Sequence, residues 1–153
     1  MARRDTSMTP DEVIEFLAAP RKLQVATLSP GGWPHIVTMW YVLDGGRVVF
    51  RSFTKSQKIR NLQRDPRLAV LAEDGTAYNE LRGVAIRGQA ELSTDPNRVL
   101  DIYVALAQRH PLGTTDRIAV RRAFASFAEK NTVVTVIPER TVSWDHRKLG
   151  TGY

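Results

Sequence analysis

Six cationic side chains, Arg51, Lys55, Lys58, Arg60, Arg64 and Arg67, fall within seventeen residues that contain one acid, Asp65. A local field of that sign attracts an anion. Three hydroxyls, those of Ser52, Thr54 and Ser56, are interleaved with the cations. Arg47 to Phe53 has the alternation of a strand. The pattern then shifts to helical spacing through Ile59 and Leu62 and should stop before Pro66. Lys55 and Lys58 are three apart at the predicted helix start, so both can lie on one side of its first turn, beside backbone N–H groups that lack helical partners. Cations at that end oppose the helix dipole, and an anion is needed to justify them. Phosphate fits best, because ammonium, hydroxyl and N–H donors converge there. Lys58 ranks first as a ligand, followed by Lys55, Ser56 and Ser52. Arg60 and Arg64 are assigned to the solvated outer face of the helix.

The elements that must position this corner are legible around it. Thr9-Pro10-Asp11-Glu12 is a helix start: Thr9 can cap, Glu12 can reach back, and Pro10 loses no needed N–H. Val13, Phe16 and Leu17 give that helix an apolar stripe. Leu23 to Leu28 and His35 to Leu43 read as strands joined by a Pro30-Gly31-Gly32 turn, and Asp44-Gly45-Gly46 makes a second reversal. Leu68 to Ala72 and Leu81 to Leu92 are further strands, the second carrying Gly83 and Gly88 where a bulge or barrel corner wants glycine. Helices follow from Asp95 and from Thr115 to Lys130. Two last strands, Thr132 to Ile137 and Thr141 to Trp144, flank Pro138. Strands that follow one another without an intervening helix disfavour a parallel α/β sheet, and closure would remove their exposed edges. The expected fold is mainly β with peripheral helices, an antiparallel barrel occupying residues 1–153 as one domain.

Composition narrows the chemistry. The 153 residues include no cysteine, which excludes disulfides, a thiol nucleophile and thiolate metal sites. His35, His110 and His146 are too scattered for a zinc spacing. No run approaches the roughly 18 apolar residues of a membrane helix, and the Met-Ala-Arg-Arg start leads into polar residues, so a cytoplasmic location is expected. A formal charge of +6 favours an anionic partner of some kind.

The ordered set GWPHIVTMWYVLDGGRVVF, then S-x-x-K-x-x-N-L-x-x-D-P-R, resembles the pyridoxamine 5′-phosphate oxidase-like split-barrel superfamily. Tyr78 to Gly83 leading into Ile86 to Glu91 resembles its actinobacterial branch that uses the deazaflavin coenzyme F420. The resemblance runs from about Thr9 to Leu92 and weakly to Trp144. It implies a split β-barrel of the FMN-binding type and a homodimer with the cofactor in a groove between subunits. Carried over by position, Ser56 and Lys58 match the phosphate-binding residues, with Lys55 and Ser52 beside them. His35, Thr38, Met39 and Trp40 match the strand along the cofactor ring. Gln57 stands where the FMN-dependent oxidase has arginine, and no Arg-x-x-x-x-Lys motif occurs from Pro34 to Tyr41, so oxidation of pyridoxamine phosphate is not implied.

A flavin or deazaflavin carries its own reactive centre, so the protein need only grip, shield and orient, and no catalytic dyad is required. Along the ring strand His35, Val37, Met39 and Tyr41 share one face while Ile36, Thr38 and Trp40 share the other, and either could be the core face. A proton-donating role for His35 weighs less than that of a hydrogen-bonded bystander. Trp144 and Tyr78 could wall a substrate space or pack in the core. The leading expectation is an F420-dependent reductase acting on an unsaturated or quinone-like small molecule. The alternatives are an FMN-binding flavoprotein and a non-catalytic F420 or FMN carrier. Nucleic-acid binding ranks last, since no strand face shows the regularly spaced aromatics of a base-stacking platform.

Overall fold

A computed structural model describes residues 5–110 and 112–150 of the chain. Its strands are β1 (Leu23–Leu28), β2 (Pro34–Met39), β3 (Val42–Asp44), β4 (Arg47–Phe53), β5 (Arg67–Asp74), β6 (Arg82–Ser93) and β7 (Asn131–Asp145). They form one antiparallel sheet in the order β2-β1-β5-β6-β7-β4-β3. β2 and β3 stand at opposite edges, yet only Trp40 and Tyr41 separate them in the chain. The sheet must therefore curl until its edges approach, which is the expected split barrel. Four helices accompany it: α1 (Pro10–Ala18), α2 (Gln57–Arg64), α3 (Pro96–Arg109) and α4 (Arg117–Ala128).

Local chemistry explains the element ends. Thr9 Oγ1 accepts from Glu12 N at 3.2 Å, and Glu12 Oε2 accepts from Thr9 N at 2.7 Å, the expected capping box of α1. Asp44 pairs with Arg47 across Gly45 and Gly46, whose φ values of 57° and 77° make the two-residue hairpin turn that L side chains resist.

Two expected elements differ. The strand expected over His35 to Leu43 breaks at Trp40 and Tyr41, where the chain crosses between sheet edges. Tyr41 is held there by distant groups: its hydroxyl donates to Leu17 O at 2.8 Å, and the Arg109 guanidinium lies 4.5 Å from its ring centre. The two strands expected around Pro138 are a single one, β7. Its register against β6 shifts at Arg87 and Gly88, so that Gly88 faces Pro138 and Arg87 faces Arg140. Proline is tolerated inside a sheet at such a bulge. A Cβ on Gly88 would stand 2.0 Å from Ile137 O, which fixes glycine at that corner.

The barrel interior is filled by Leu23, Val25, Tyr41, Phe50, Val70 and Val134, and α2 closes it with Ile59 and Leu62. A second apolar layer lies on the other side of β4 and β7, where Val49 and Val133 meet Val99, Tyr103 and Val120 of α3 and α4. No helix among the described residues is long and apolar enough to cross a membrane.

Candidate functional site

Strand β4 serves both layers. Val48 and Phe50 belong to the interior cluster and Val49 to the outer one, so by alternation Ser52 follows the first pair and Arg51 the second. Ser52 is 4 % exposed, and its Oγ accepts from Lys58 Nζ at 2.8 Å and lies 3.2 Å from Ser56 Oγ. Ser56 is the N-cap residue of α2, but its side chain makes no cap bond, and the first turn holds no acid. The N–H groups of that turn are left for another acceptor. Rotation of α2 is set from below: buried Asn61 accepts from Gln57 Nε2 at 2.8 Å and donates to Thr27 Oγ1 at 3.0 Å. That pin turns Lys58 toward β4 rather than toward water.

Arg51 points the other way. Its guanidinium lies 4.3 Å from the ring centre of Tyr103, Nη1 donates to Asn131 Oδ1 at 3.2 Å, and Nε is buried without a partner among the described residues. Burial lowers the pKa of Arg51, against a smaller opposing effect of Tyr103. Burial, and then the charge of Arg51, also lower that of Lys58. Among the described residues neither cation has a carboxylate within ion-pair distance. Partly desolvated, uncompensated cations are what bound anionic groups would relieve, Lys58 at the helix start and Arg51 on the other side of β4.

Next to Arg51 opens a pocket of about 270 Å³, lined by Lys22, Thr38, Met39, Trp40, Arg51 and Leu106. It sits where β2 ends. Trp40 is 42 % exposed and stacks on His110, with ring centres 4.5 Å apart and planes 4° from parallel. Burial, and then Arg109, depress the pKa of His110.

Of the residues expected to bind, Ser52, Ser56 and Lys58 come together at the corner, and Thr38, Met39 and Trp40 line the pocket. Lys55 precedes the N-cap of α2 instead of sharing its first turn, and is exposed without a partner among the described residues. His35 is absent from the pocket lining. It lies half-buried on the core-facing side of β2 opposite Thr27, and its Nδ1 has no partner among the described residues. The hydroxyl of Thr54 is engaged with Thr132 Oγ1 at 2.8 Å and adds nothing to the corner. Arg60 is exposed, and Arg64 donates to Leu28 O. Arg67 pairs with Asp65 at 2.6 Å, holding that carboxyl down at about 2. Trp144, packed over Gly83, and Tyr78, tilted against His146, lie at the far end of β7 from Asn131.

Sequence reasoning did not rank Arg51 as a ligand and did not consider Lys22 or Leu106. A cation inside the apolar run Val48 to Phe53 was the available signal for Arg51. Lys22 and Leu106 carry no local signal.

The sequence model of the pyridoxamine 5′-phosphate oxidase family matches residues 9–136. Among solved structures, a conserved hypothetical protein of Mycobacterium tuberculosis aligns with a TM-score of 0.87 and 36 % identity, over 100 % of this chain and 94 % of its own. A protein described as an F420 reductase aligns with a TM-score of 0.65 and 26 % identity, over 83 % of this chain and 93 % of its own. An FAD-binding protein of Mesorhizobium loti shares the fold at 15 % identity, with a TM-score of 0.65, over 90 % of this chain and 94 % of its own. No curated protein matches the sequence.

Proposed function

The chain belongs to the pyridoxamine 5′-phosphate oxidase family, and on that premise we propose that it is a coenzyme F420-dependent reductase acting on an unsaturated or quinone-like small molecule. One observation carries the reading: Lys58 is partly desolvated without a counter-charge among the described residues, beside the Ser52 and Ser56 hydroxyls and an acid-free helix start. That donor set has the chemistry of a phosphate-ester site. When bound, a deazaflavin would supply the hydride-carrying centre.

The chain's own residues would then bind and orient. Lys58, Ser52 and Ser56 grip the phosphate, and Lys55 contributes as an outer charge. Edge strand β2 leaves backbone N–H and C=O groups unpaired on its free side, and at Thr38, Met39 and Trp40 these can hydrogen-bond the ring edge. His35 has no proton-transfer role in this reading, because it does not line the pocket. A second copy of the chain would complete the groove, a reading supported by the open side of the β1–β2 hairpin, where Trp33 is 79 % and Ile36 65 % exposed. The preference for F420 over FMN rests on the likeness to the F420 reductase and on the Tyr78 to Glu91 segment.

Titration of the purified protein with F420, followed by cofactor fluorescence, tests the proposal. Saturable binding in the micromolar range is expected. A protein that purifies yellow with flavin absorbance and ignores F420 at tens of micromolar would be an FMN protein instead.

A further inference from the structure

Arg51 and Ser52 are adjacent on β4 and project to opposite sides of it. A phosphate gripped by Lys58, Ser52 and Ser56 therefore occupies one side, and the guanidinium above Tyr103 is left on the other. There Arg51 shares the pocket with Lys22, which also lacks a carboxylate partner among the described residues. The Arg51 fork is half used. Nη1 donates to Asn131 and Nε is buried without a partner, so Nη2, which has no hydrogen bond among the described residues, is the donor left for a pocket ligand. The rest of the lining is mostly apolar: Met39, Trp40 and Leu106, with Thr38. Apolar walls with a few convergent charges suit a ligand of matching polarity.

We infer that this pocket is the acceptor subsite and takes a planar, unsaturated carboxylic acid, its carboxylate held by Arg51 and Lys22 and its apolar body covered by Trp40 and Leu106. The assignment deepens the reductase reading and rests on its placement of the cofactor phosphate at Lys58. An acid seated here lies beside Thr38 to Trp40, the segment assigned to the cofactor ring.

The test uses the full chain without cofactor and two probes, trans-cinnamate and its neutral amide, trans-cinnamamide, titrated calorimetrically. Cinnamate should bind about tenfold or more tightly than the amide, the scale of one hydrogen bond to a charged group. Arg51→Gln should remove most of that preference, leaving the few-fold share of Lys22, and leave the amide unchanged. Arg51→Lys, which keeps the charge but moves the donor, should fall between, and Lys22→Gln should give a loss of a few fold. Lys58→Ala should weaken inorganic phosphate while sparing cinnamate. Equal binding of acid and amide overturns the inference, as does a cinnamate loss in Lys58→Ala equal to that in Arg51→Gln. Adding F420 separates the two sources of an anion. A ternary complex supports an acceptor carboxylate, whereas competitive displacement of cinnamate assigns Arg51 to the cofactor and ends the proposal. A protein that fails to bind F420 would sink the cofactor reading alone, since the probe titrations need none.

Discussion

Two groups of basic residues stand toward opposite ends of the sheet and behave differently. Near the start of β6, Asp74 receives Arg21 at 2.6 Å and Arg82 at 2.9 Å, Asp145 receives Arg147 at 2.6 Å, and the ring of Phe16 lies 3.7 Å from Arg21 and 5.3 Å from Arg82. Those cations are spent on the carboxylates of β5 and β7 and on the end of α1, where Arg21 donates to Phe16 O. At the α2 corner Lys58 and Arg51 are partly buried as well, and among the described residues no carboxylate answers them. Counted in the sequence the two groups look alike. Compensation separates a structural cluster from a binding one, because a desolvated cation without a counter-ion is costly until a ligand supplies the charge.

Substitution should reveal that difference as two opposite phenotypes, and the largest effect is expected at Lys58. Lys58→Ala should weaken F420 binding by about 1.5–3 kcal/mol, the scale of a hydrogen bond to a charged group, and leave the melting temperature unchanged or slightly higher. Asp74→Asn should do the reverse. It removes the charge shared by Arg21 and Arg82, and, discounted for partial exposure, should lower stability by about 1–2 kcal/mol with no change in cofactor affinity. Fluorescence titration and thermal denaturation read the pair. If Lys58→Ala melts as early as Asp74→Asn, the corner is structural and the contrast is lost.

The same comparison marks what the sequence made legible. Ser52, Ser56 and Lys58 are drawn together by local spacing, as are the capping box of α1 and the two-glycine hairpin. Each is decided within a few residues by turn chemistry or helical geometry. The break at Trp40 and Tyr41 is not decided locally, because Leu17 and Arg109, which hold Tyr41, come from distant helices. Arg51 was visible as a charge, but its role depends on what α3 lays over it. The carboxylate of Asp74 likewise meets Arg21 only after β1 and β5 have paired.

Titration should sharpen the contrast by about a few fold, with opposite signs. Burial raises Asp74, but hydrogen bonds and charge from Arg21 and Arg82 outweigh it, so its folded pKa lies below 3.8. Asp145 is lowered chiefly by its hydrogen bond to Arg147. A depressed carboxylate stabilises the fold fully above its unfolded value, and that stability is lost as the pH falls through 3.8 toward the folded value. Acid denaturation of the wild type should therefore be steeper in this window than that of Asp74→Asn. Lys58 is shifted down from 10.5, so its charge is lost earlier on the alkaline side than an ordinary lysine's. Cofactor affinity should decline as the pH rises through that lowered value, although the fold itself gains stability there. Lys58→Arg should flatten the decline, because an arginine stays charged.

The smallest effect tests whether proximity or overall charge matters at the corner. Lys55 is exposed in the turn that leads to the Ser56 cap, and Arg60 is exposed one turn into α2. A general positive field would make the two interchangeable. If instead the anion sits at the helix start, Lys55→Ala should weaken F420 binding by about two- to fivefold at low salt and Arg60→Ala by less than about twofold, since interactions with the helix end fall off within a turn. The Lys55 effect should fade at about 1 M salt, where exposed charges are screened within roughly 3 Å, while the loss in Lys58→Ala persists because that ammonium is sheltered against Ser52. Equal losses for Lys55 and Arg60 would reduce the corner to a diffuse field. A Lys55 loss that survives high salt would instead make it a second direct ligand, drawn in from the turn when the phosphate binds.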